Sequence, residues 1–208
     1  MKKLLIITGP QGSGNHLFSK IFSSHPAVYG WKDLLDTYWL GHHTEPFAKY
    51  WGNAAELSKF DWNQSDYYVT SISVPFVQNK EMHMPNFKEF IKFARCHVDS
   101  IQLAIIGRDQ NILKVQQERV RDAHTTPLAL EAYQQIFDVG TPYFLSQELL
   151  YLYKSEYLQR IALDLDWPVD YKNDKVLDLC NKDANEKYIY PIKEHWLDAE
   201  VTAAVKES

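Results

Sequence analysis

An apolar strand that runs directly into a glycine-rich loop and then into a helix is the feature that most constrains this chain. Residues 4–8 are apolar and β-branched, and residues 9–16 read Gly-Pro-Gln-Gly-Ser-Gly-Asn-His. From about residue 15 to residue 24 the apolar side chains recur at helical spacing. Glycines allow positive φ angles, so successive backbone N–H groups can turn into one pocket in front of the helix N-terminus. The unit predicts a binding pocket for a phosphate or a sulfate.

The spacing of the glycines is that of a nucleotide-binding P-loop. Gly9 and Gly14 fit the pattern GxxxxGK[ST], but Asn15 stands where the lysine belongs and His16 where the Mg²⁺-binding serine or threonine belongs. An ATP-dependent kinase needs that lysine on the β- and γ-phosphates and that hydroxyl on the metal. The loop therefore argues against an ordinary kinase and favours another anion-binding protein. The plain alternative is a glycine-rich turn without a ligand.

Strand and helix patterns alternate along the rest of the chain. The further strand candidates are Tyr67–Val74, residues 102–107 and Tyr143–Ser146, and the helix candidates are residues 87–96, 111–122 and 153–163. This alternation predicts an α/β fold of the P-loop type, with three αβα layers and a mainly parallel central sheet. At 208 residues and without a linker-like segment, residues 1–208 are expected to form a single domain.

Residues 31–62 are rich in aromatic side chains and weak in periodicity, and we interpret them as a helical insertion beside the pocket. The rings are those of Trp31, Tyr38, Trp39, Phe47, Tyr50, Trp51, Phe60 and Trp62. Such rings could supply the walls of a substrate site. Alternatively, they only fill a core. The sequence leaves both interpretations open.

Composition excludes several classes of protein. Apolar residues at 45% and charged residues at 24% are typical of an ordered globular chain, not of a disordered or coiled-coil one. The net charge of -5 opposes binding to nucleic acid, so we expect no nucleic-acid partner and only a local anion site.

The cysteines and the N-terminal segment indicate a compartment. Cys96 and Cys180 lie far apart and outside any metal-ligand spacing, which predicts neither a disulfide framework nor a zinc site. The apolar run at residues 4–7 is too short for a signal peptide, and no stretch approaches the roughly 20 apolar residues of a membrane span. We therefore expect a cytoplasmic protein without a membrane partner.

Around this loop the chain resembles the P-loop sulfotransferases, which use 3'-phosphoadenosine 5'-phosphosulfate (PAPS). The family's phosphosulfate loop is a basic residue followed by Ser-Gly-Thr-Thr, a helix and a His-Pro turn, and Ser13, Gly14 and the His-Pro turn at residues 25–26 agree with it. Glycine replaces the basic residue, and asparagine and histidine replace the threonines. The resemblance implies PAPS as co-substrate, no metal, and a set of loop residues that bind the donor. These are Gly12, Ser13, Gly14, Asn15, His16 and Leu17.

A second signature of the family is a strand that ends in arginine, with a serine eight residues later, which together hold the 3'-phosphate. Arg108 closes an apolar strand in the same way, and Gln116 takes the position of the serine. A guanidinium suits a phosphate, and the amide of a glutamine can donate a hydrogen bond. The resemblance implies that Arg108 and Gln116 bind PAPS or its product, 3'-phosphoadenosine 5'-phosphate (PAP). Residues 185–189, including Lys187, occupy the place of a loop that covers the nucleotide in relatives.

Sulfuryl transfer needs a base for the acceptor and donors or positive groups on the sulfuryl oxygens, but no Mg²⁺. In many relatives the base is a histidine that closes the second strand, where Ser73 stands here. We expect catalytic roles for His16, which could donate to a sulfuryl oxygen, and for His83 or Asp33 as the base. His42, His43 and Asp36 stay open as further candidates for the base.

The leading hypothesis is a divergent sulfotransferase that moves a sulfuryl group from PAPS to a hydroxyl or an amine. One alternative is a nucleoside or nucleotide kinase with a degenerate loop, in which Arg119 and Arg121 clamp phosphates. Another is a nucleotide-binding protein without catalysis. We expect a small molecule or a saccharide as acceptor, and a sugar, a phenol and a peptide tyrosine are equally compatible with the sequence. The oligomeric state is not fixed by the sequence.

Overall fold

Five strands form the central sheet of this computed structural model, which describes residues 1–78, 81–186 and 188. Lys187 and the side chain of Arg121 lie outside the described residues. The sheet strands are β1 (Lys3–Pro10), β2 (Val28–Tyr29), β3 (Tyr67–Val74), β6 (Ser100–Gly107) and β7 (Tyr143–Ser146), and a separate hairpin consists of β4 (Phe76–Gln78) and β5 (Glu81–His83). The spatial order is β2-β3-β1-β6-β7, and the pairings between these strands are parallel.

Helices connect the strands on both faces of the sheet. They are α1 (Asn15–Ser24), α2 (Ala48–Gly52), α3 (Phe87–Ala94), α4 (Gln110–Arg121), α5 (Thr126–Val139), α6 (Gln147–Asp164) and α7 (Asp174–Cys180). Within the aromatic segment, short 3₁₀ helices also occur at Lys32–Leu34, His42–Thr44 and Ala54–Lys59.

Strand β1 lies at the centre because its side chains are apolar on both faces. Leu4 and Ile6 pack into one core with residues of α2, α3 and α5, whereas Leu5 and Ile7 pack into a second core with residues of α1, α6 and α7. All four side chains are fully buried, as is typical of a strand covered by helices on both sides. The predicted α/β fold, with three αβα layers and a mainly parallel sheet, is confirmed.

The parallel pairing brings the carboxyl ends of the strands to one edge of the sheet. Gly9 is paired with Ser73, and Gly107 is paired with Ser146. The glycine loop after β1, the end of β3, the end of β6 and the start of α6 therefore meet at this edge. Ligands of open α/β sheets bind in the crevice outside such carboxyl ends.

Several elements have the predicted bounds, and others extend or add to the prediction. The bounds of α1, β3 and β7 are as predicted, but α6 begins at Gln147, earlier than the predicted residue 153. The reason is a cap, because the Ser146 hydroxyl accepts a hydrogen bond from the backbone N–H of Leu149. Helices α5 and α7 and the hairpin of β4 and β5 were not predicted from the sequence.

Candidate functional site

The glycine loop forms one part of the candidate site. Gly12 and Gly14 have φ angles of 90° and 117°, a region that side chains disfavour. A Cβ atom on Gly12 would lie 2.9 Å from the side chain of Gln116. The first N–H groups of α1, directly after Gly14, have no partner within the helix and carry partial positive charge. This backbone suits an anion.

Asn15 occupies the lysine position of a P-loop, but its side chain is tied to the sheet. Its Nδ2 atom donates to Ser73 Oγ at 3.0 Å and to the carbonyl oxygen of Gly9 at 3.4 Å. The side chain is buried, and its Oδ1 atom has no partner among the described residues. Asn15 thus fixes the loop against the end of β3.

His16 is held with its imidazole in a defined tautomer. Its Nε2 atom lies 2.7 Å from the carbonyl oxygen of Leu40. Because a carbonyl only accepts, Nε2 carries the proton, and the neutral ring keeps a lone pair on Nδ1. Burial lowers the pKa of His16; the hydrogen bond to Leu40 opposes this shift, and the charge of Lys20 adds to it. Because Leu40 takes up the single N–H of the neutral ring, His16 in this tautomer has no N–H left for the predicted donation to a sulfuryl oxygen, and it can instead accept a proton at Nδ1.

Aromatic rings surround His16. The ring of His42 lies 4.7 Å away edge-on, the ring of Trp31 lies 5.0 Å away, and Trp39 stacks on His16 at 5.8 Å with an angle of 16° between the planes. His42 Nε2 also lies 3.4 Å from Ser73 Oγ. These rings bury the imidazole, and this burial is the main cause of its lowered pKa.

Arg108 joins the glycine loop to α4. Its Nη1 donates to the carbonyl oxygen of Gly12 at 2.6 Å and also to Oε1 of Gln116, while Nε donates to Asn185 Oδ1 at 2.9 Å and Nη2 to the carbonyl oxygen of Ala184 at 2.9 Å. These acceptors are all uncharged. Burial lowers the pKa of Arg108, but the guanidinium keeps its charge. Its positive charge is thus held in place without a carboxylate in direct contact among the described residues.

These groups line one cleft with a volume of about 1020 Å³. Most of the residues predicted to bind the donor lie on its walls, namely Gly12, Gly14, Asn15, His16, Leu17, Arg108 and Gln116. Ser13 is fully buried, and its Oγ atom has no partner among the described residues. Ligand pockets usually measure roughly 300–1,000 Å³, so the cleft has room for a nucleotide and a small acceptor together.

The candidate bases are divided between the cleft and its surroundings. Asp33 is exposed in the 3₁₀ helix Lys32–Leu34, and His83 lies on β5 with its Nε2 3.9 Å from Glu81. Neither of them contributes to the described cleft lining. His42, His43 and Asp36 do contribute to it.

The aromatic segment is divided in the same way. Trp31, Phe47 and Trp51 are buried in the protein, whereas Tyr38 and Trp39 are 90% and 62% exposed. The latter two line the cleft. Core filling and wall building therefore both occur, in different parts of one segment.

Sequence reasoning missed several charged and polar groups of the cleft. Lys20 lies one helical turn after His16, and Lys182 follows α7. Both lysines line the cleft, as does Gln147. The spacing of His16 and Lys20 on α1 could have revealed the first of them, because residues four apart share a helix face. No sequence pattern pointed to Lys182, because α7 was itself not predicted.

Comparison with known proteins identifies a structural neighbour. The fold is similar to the sulfotransferase domain from the Synechococcus PCC 7002 olefin synthase, with a TM-score of 0.50 over 89% of this chain and 78% of that chain, at 14% sequence identity. No protein-family model and no curated protein matches the sequence. At this identity the likeness establishes a shared fold. Within the described part of the chain, no helix has the length and apolar character needed to cross a bilayer.

Proposed function

We propose that this protein transfers a sulfuryl group from PAPS to a hydroxyl or amine acceptor. The observation that carries the proposal is the contact of Arg108 with both Gly12 and Gln116 at the wall of one cleft. The resemblance to sulfotransferases assigns the 5'-phosphosulfate to the glycine loop and the 3'-phosphate to Arg108 and Gln116. A cleft that joins these two sites suits a nucleotide with anionic groups at both its 5' and its 3' position.

The residues present fit this donor. The left-handed Gly12 and Gly14 keep side chains away from the loop, and the start of α1 adds positive partial charge. Arg108 meets only uncharged acceptors, which a phosphate dianion can replace with a gain in electrostatic energy. Sulfuryl transfer needs no Mg²⁺, so the missing hydroxyl at position 16 does not count against it as it does against a kinase.

His16 is the best placed base in the cleft. Bound PAPS supplies the sulfuryl group as the electrophile. His16 would accept the acceptor's proton at Nδ1 while Leu40 holds the other ring nitrogen. In this reaction the acceptor oxygen or nitrogen forms a bond to sulfur, the bond between sulfur and the bridging oxygen of the 5'-phosphate breaks, and PAP leaves. The rings of Tyr38 and Trp39 offer the acceptor an apolar wall.

Calorimetric titration with PAP, and separately with ATP and Mg²⁺, tests the proposal without knowledge of the acceptor. We expect micromolar binding of PAP and a weak response to ATP. Release of PAP from PAPS during incubation with phenols, sugars and amines then tests transfer. Tight binding of ATP with Mg²⁺ and none of PAP would favour the kinase instead.

A matched pair of arginine variants tests the assignment of the 3'-phosphate. Arg108→Ala should weaken the binding of PAP by about 2 kcal/mol, as for a lost charge-assisted contact. It should weaken the binding of adenosine 5'-phosphosulfate, which lacks the 3'-phosphate, much less. Arg95→Ala, at an exposed position outside the cleft, should change neither. Equal losses of both ligands in Arg108→Ala would refute the assignment.

A further inference from the structure

Two lysine side chains, Lys20 and Lys182, line the cleft together, and the charge of Lys182 acts on Lys20. Lys20 projects from α1 one turn after His16, and Lys182 follows α7. Lys20 is only 9% exposed, and its ammonium donates to the carbonyl oxygen of Thr37. The side chain is thus largely covered and its ammonium is partly buried, and a buried cation is costly unless its charge is compensated.

Compensation by a carboxylate is absent from the described part of the chain. Neither Lys20 nor Lys182 forms an ion pair within 4.0 Å there. Burial lowers the pKa of Lys20, and the positive charge of Lys182 lowers it further. Asp36, Asp178 and Lys175 line the same cleft, and among the described residues neither carboxylate forms an ion pair with Lys20 or Lys182. The two cations therefore repel each other across a space that an anion would stabilise.

The glycine loop supplies no cation of its own to this end of the cleft. Residues 9–16 contain neither lysine nor arginine. His16 is neutral at physiological pH because burial lowers its pKa. Lys20 is thus the cation whose charge acts on the neutral imidazole, and Lys182 and Lys175 line the same cleft.

We propose that Lys20 and Lys182 form a second oxyanion subsite of the cleft, separate from Arg108 and Gln116. Its ligand is a tetrahedral or planar oxyanion: a sulfuryl or phosphoryl group at the 5' end of the donor, or an anionic substituent of the acceptor. The proposed binding of an oxyanion rests on the two lysines and does not depend on the proposed function. Its origin in a donor or an acceptor rests on the proposed function.

Titration with inorganic sulfate at constant ionic strength tests the subsite. Lys182→Gln should weaken the affinity for sulfate about tenfold, which corresponds to the loss of one charge-assisted contact. Lys182 is exposed, so this variant should fold. The matched control is Lys172→Gln, which removes the same charge from an exposed position outside the cleft lining and should leave sulfate binding unchanged. Lys20→Gln should also weaken sulfate, but its burial makes Lys182→Gln the deciding variant.

Repeating the titration in saturating PAP identifies the source of the oxyanion. If the affinity for sulfate is the same with PAP present, the subsite binds the sulfuryl group or the acceptor. If PAP displaces the sulfate, the subsite binds the 5'-phosphate of the donor. The subsite is refuted if wild-type protein does not bind sulfate or if Lys182→Gln and Lys172→Gln behave alike. Absence of PAP binding would overturn the proposed function but not the sulfate result, so the two failures can be told apart.

Discussion

Asn15 Nδ2 donates a hydrogen bond of 3.0 Å to Ser73 Oγ, which joins the first residue of α1 to the end of β3 across 58 positions of sequence. Both side chains are buried. Ser73 Oγ in turn lies 3.4 Å from Nε2 of His42. A polar chain thus connects the glycine loop, the sheet and the aromatic segment at the wall of the cleft. Where a P-loop kinase would place a lysine for its nucleotide, this protein places a residue that fixes its own loop.

A double-mutant cycle should reveal this connection. Ser73→Ala and Asn15→Leu should each destabilise the protein by about 1–3 kcal/mol, because each removes the shorter hydrogen bond of a buried polar group. The double variant should lose about 1 kcal/mol less than the sum, because the shared hydrogen bond can be lost only once. Urea unfolding of the four proteins measures these differences. Strictly additive losses would show that the two residues act independently.

Substitution of Gly12 should test the geometry of the loop. Gly12→Ala places a Cβ at a φ of 90° and 2.9 Å from Gln116, so we expect a loss of roughly 1–2 kcal/mol of stability and weaker PAP binding. Gly140→Ala is the matched control, because φ there is 168° and no atom lies within 4 Å of the new Cβ. The control should be neutral or slightly stabilising. Thermal unfolding and calorimetry provide the measurements, and equal behaviour of the two variants would contradict a strained loop.

Much of the fold was predictable because parallel strands carry their signal in short stretches of sequence. The apolar run before Gly9 predicted β1, and the same pattern before Arg108 predicted β6. Because parallel strands end at one edge of a sheet, this order of elements brings the glycine loop and Arg108 to the same edge. The resemblance implied that Arg108 and Gln116 bind the same phosphate, and in the structure the two side chains share a hydrogen bond.

The rest of the site depends on contacts that no local pattern records. Lys20 and Lys182 line one cleft because α7 packs against α1, and α7 is a short helix of 7 residues with a weak sequence signal. Tyr38 and Trp39 belong to a segment without regular periodicity, so the sequence could not separate them from the buried Trp31. Tertiary packing decides such cases.

Glu45 should make the stability of the protein depend on pH. It is 4% exposed, and burial raises its pKa from 4.5 to about 8, although hydrogen bonds from Thr70 and Phe47 oppose the shift. Between these two values the unfolded chain has lost a proton that the folded protein keeps, so stability falls as the pH rises. The slope from this group is at most about 1.4 kcal/mol per pH unit, and the loss is complete above the folded pKa.

Glu45→Gln should remove this part of the slope, so its free energy of unfolding should increase relative to that of the wild type as the pH rises towards about 8. Glu131→Gln, at an exposed position on α5, serves as the control and should follow the wild type. Urea unfolding at several pH values gives the free energies. If Glu45→Gln runs parallel to the wild type throughout, the carboxyl of Glu45 is ionised in the folded protein.

His16→Gln should separate proton transfer from nucleotide binding. A glutamine amide can still donate to the carbonyl oxygen of Leu40 but cannot act as a base at neutral pH, so we expect PAP affinity to hold within about threefold while kcat falls by about 10²–10³. Because the pKa of His16 is lowered from 6.5, wild-type kcat/KM should be level above that pH and should fall below it as Nδ1 becomes protonated. This acid limb should disappear in the residual activity of His16→Gln. His83→Ala and Asp33→Asn, which alter residues outside the cleft lining, should keep both kcat and the limb. A large loss of kcat in His83→Ala or Asp33→Asn, with His16→Gln fully active, would show that His16 on α1 is not the base.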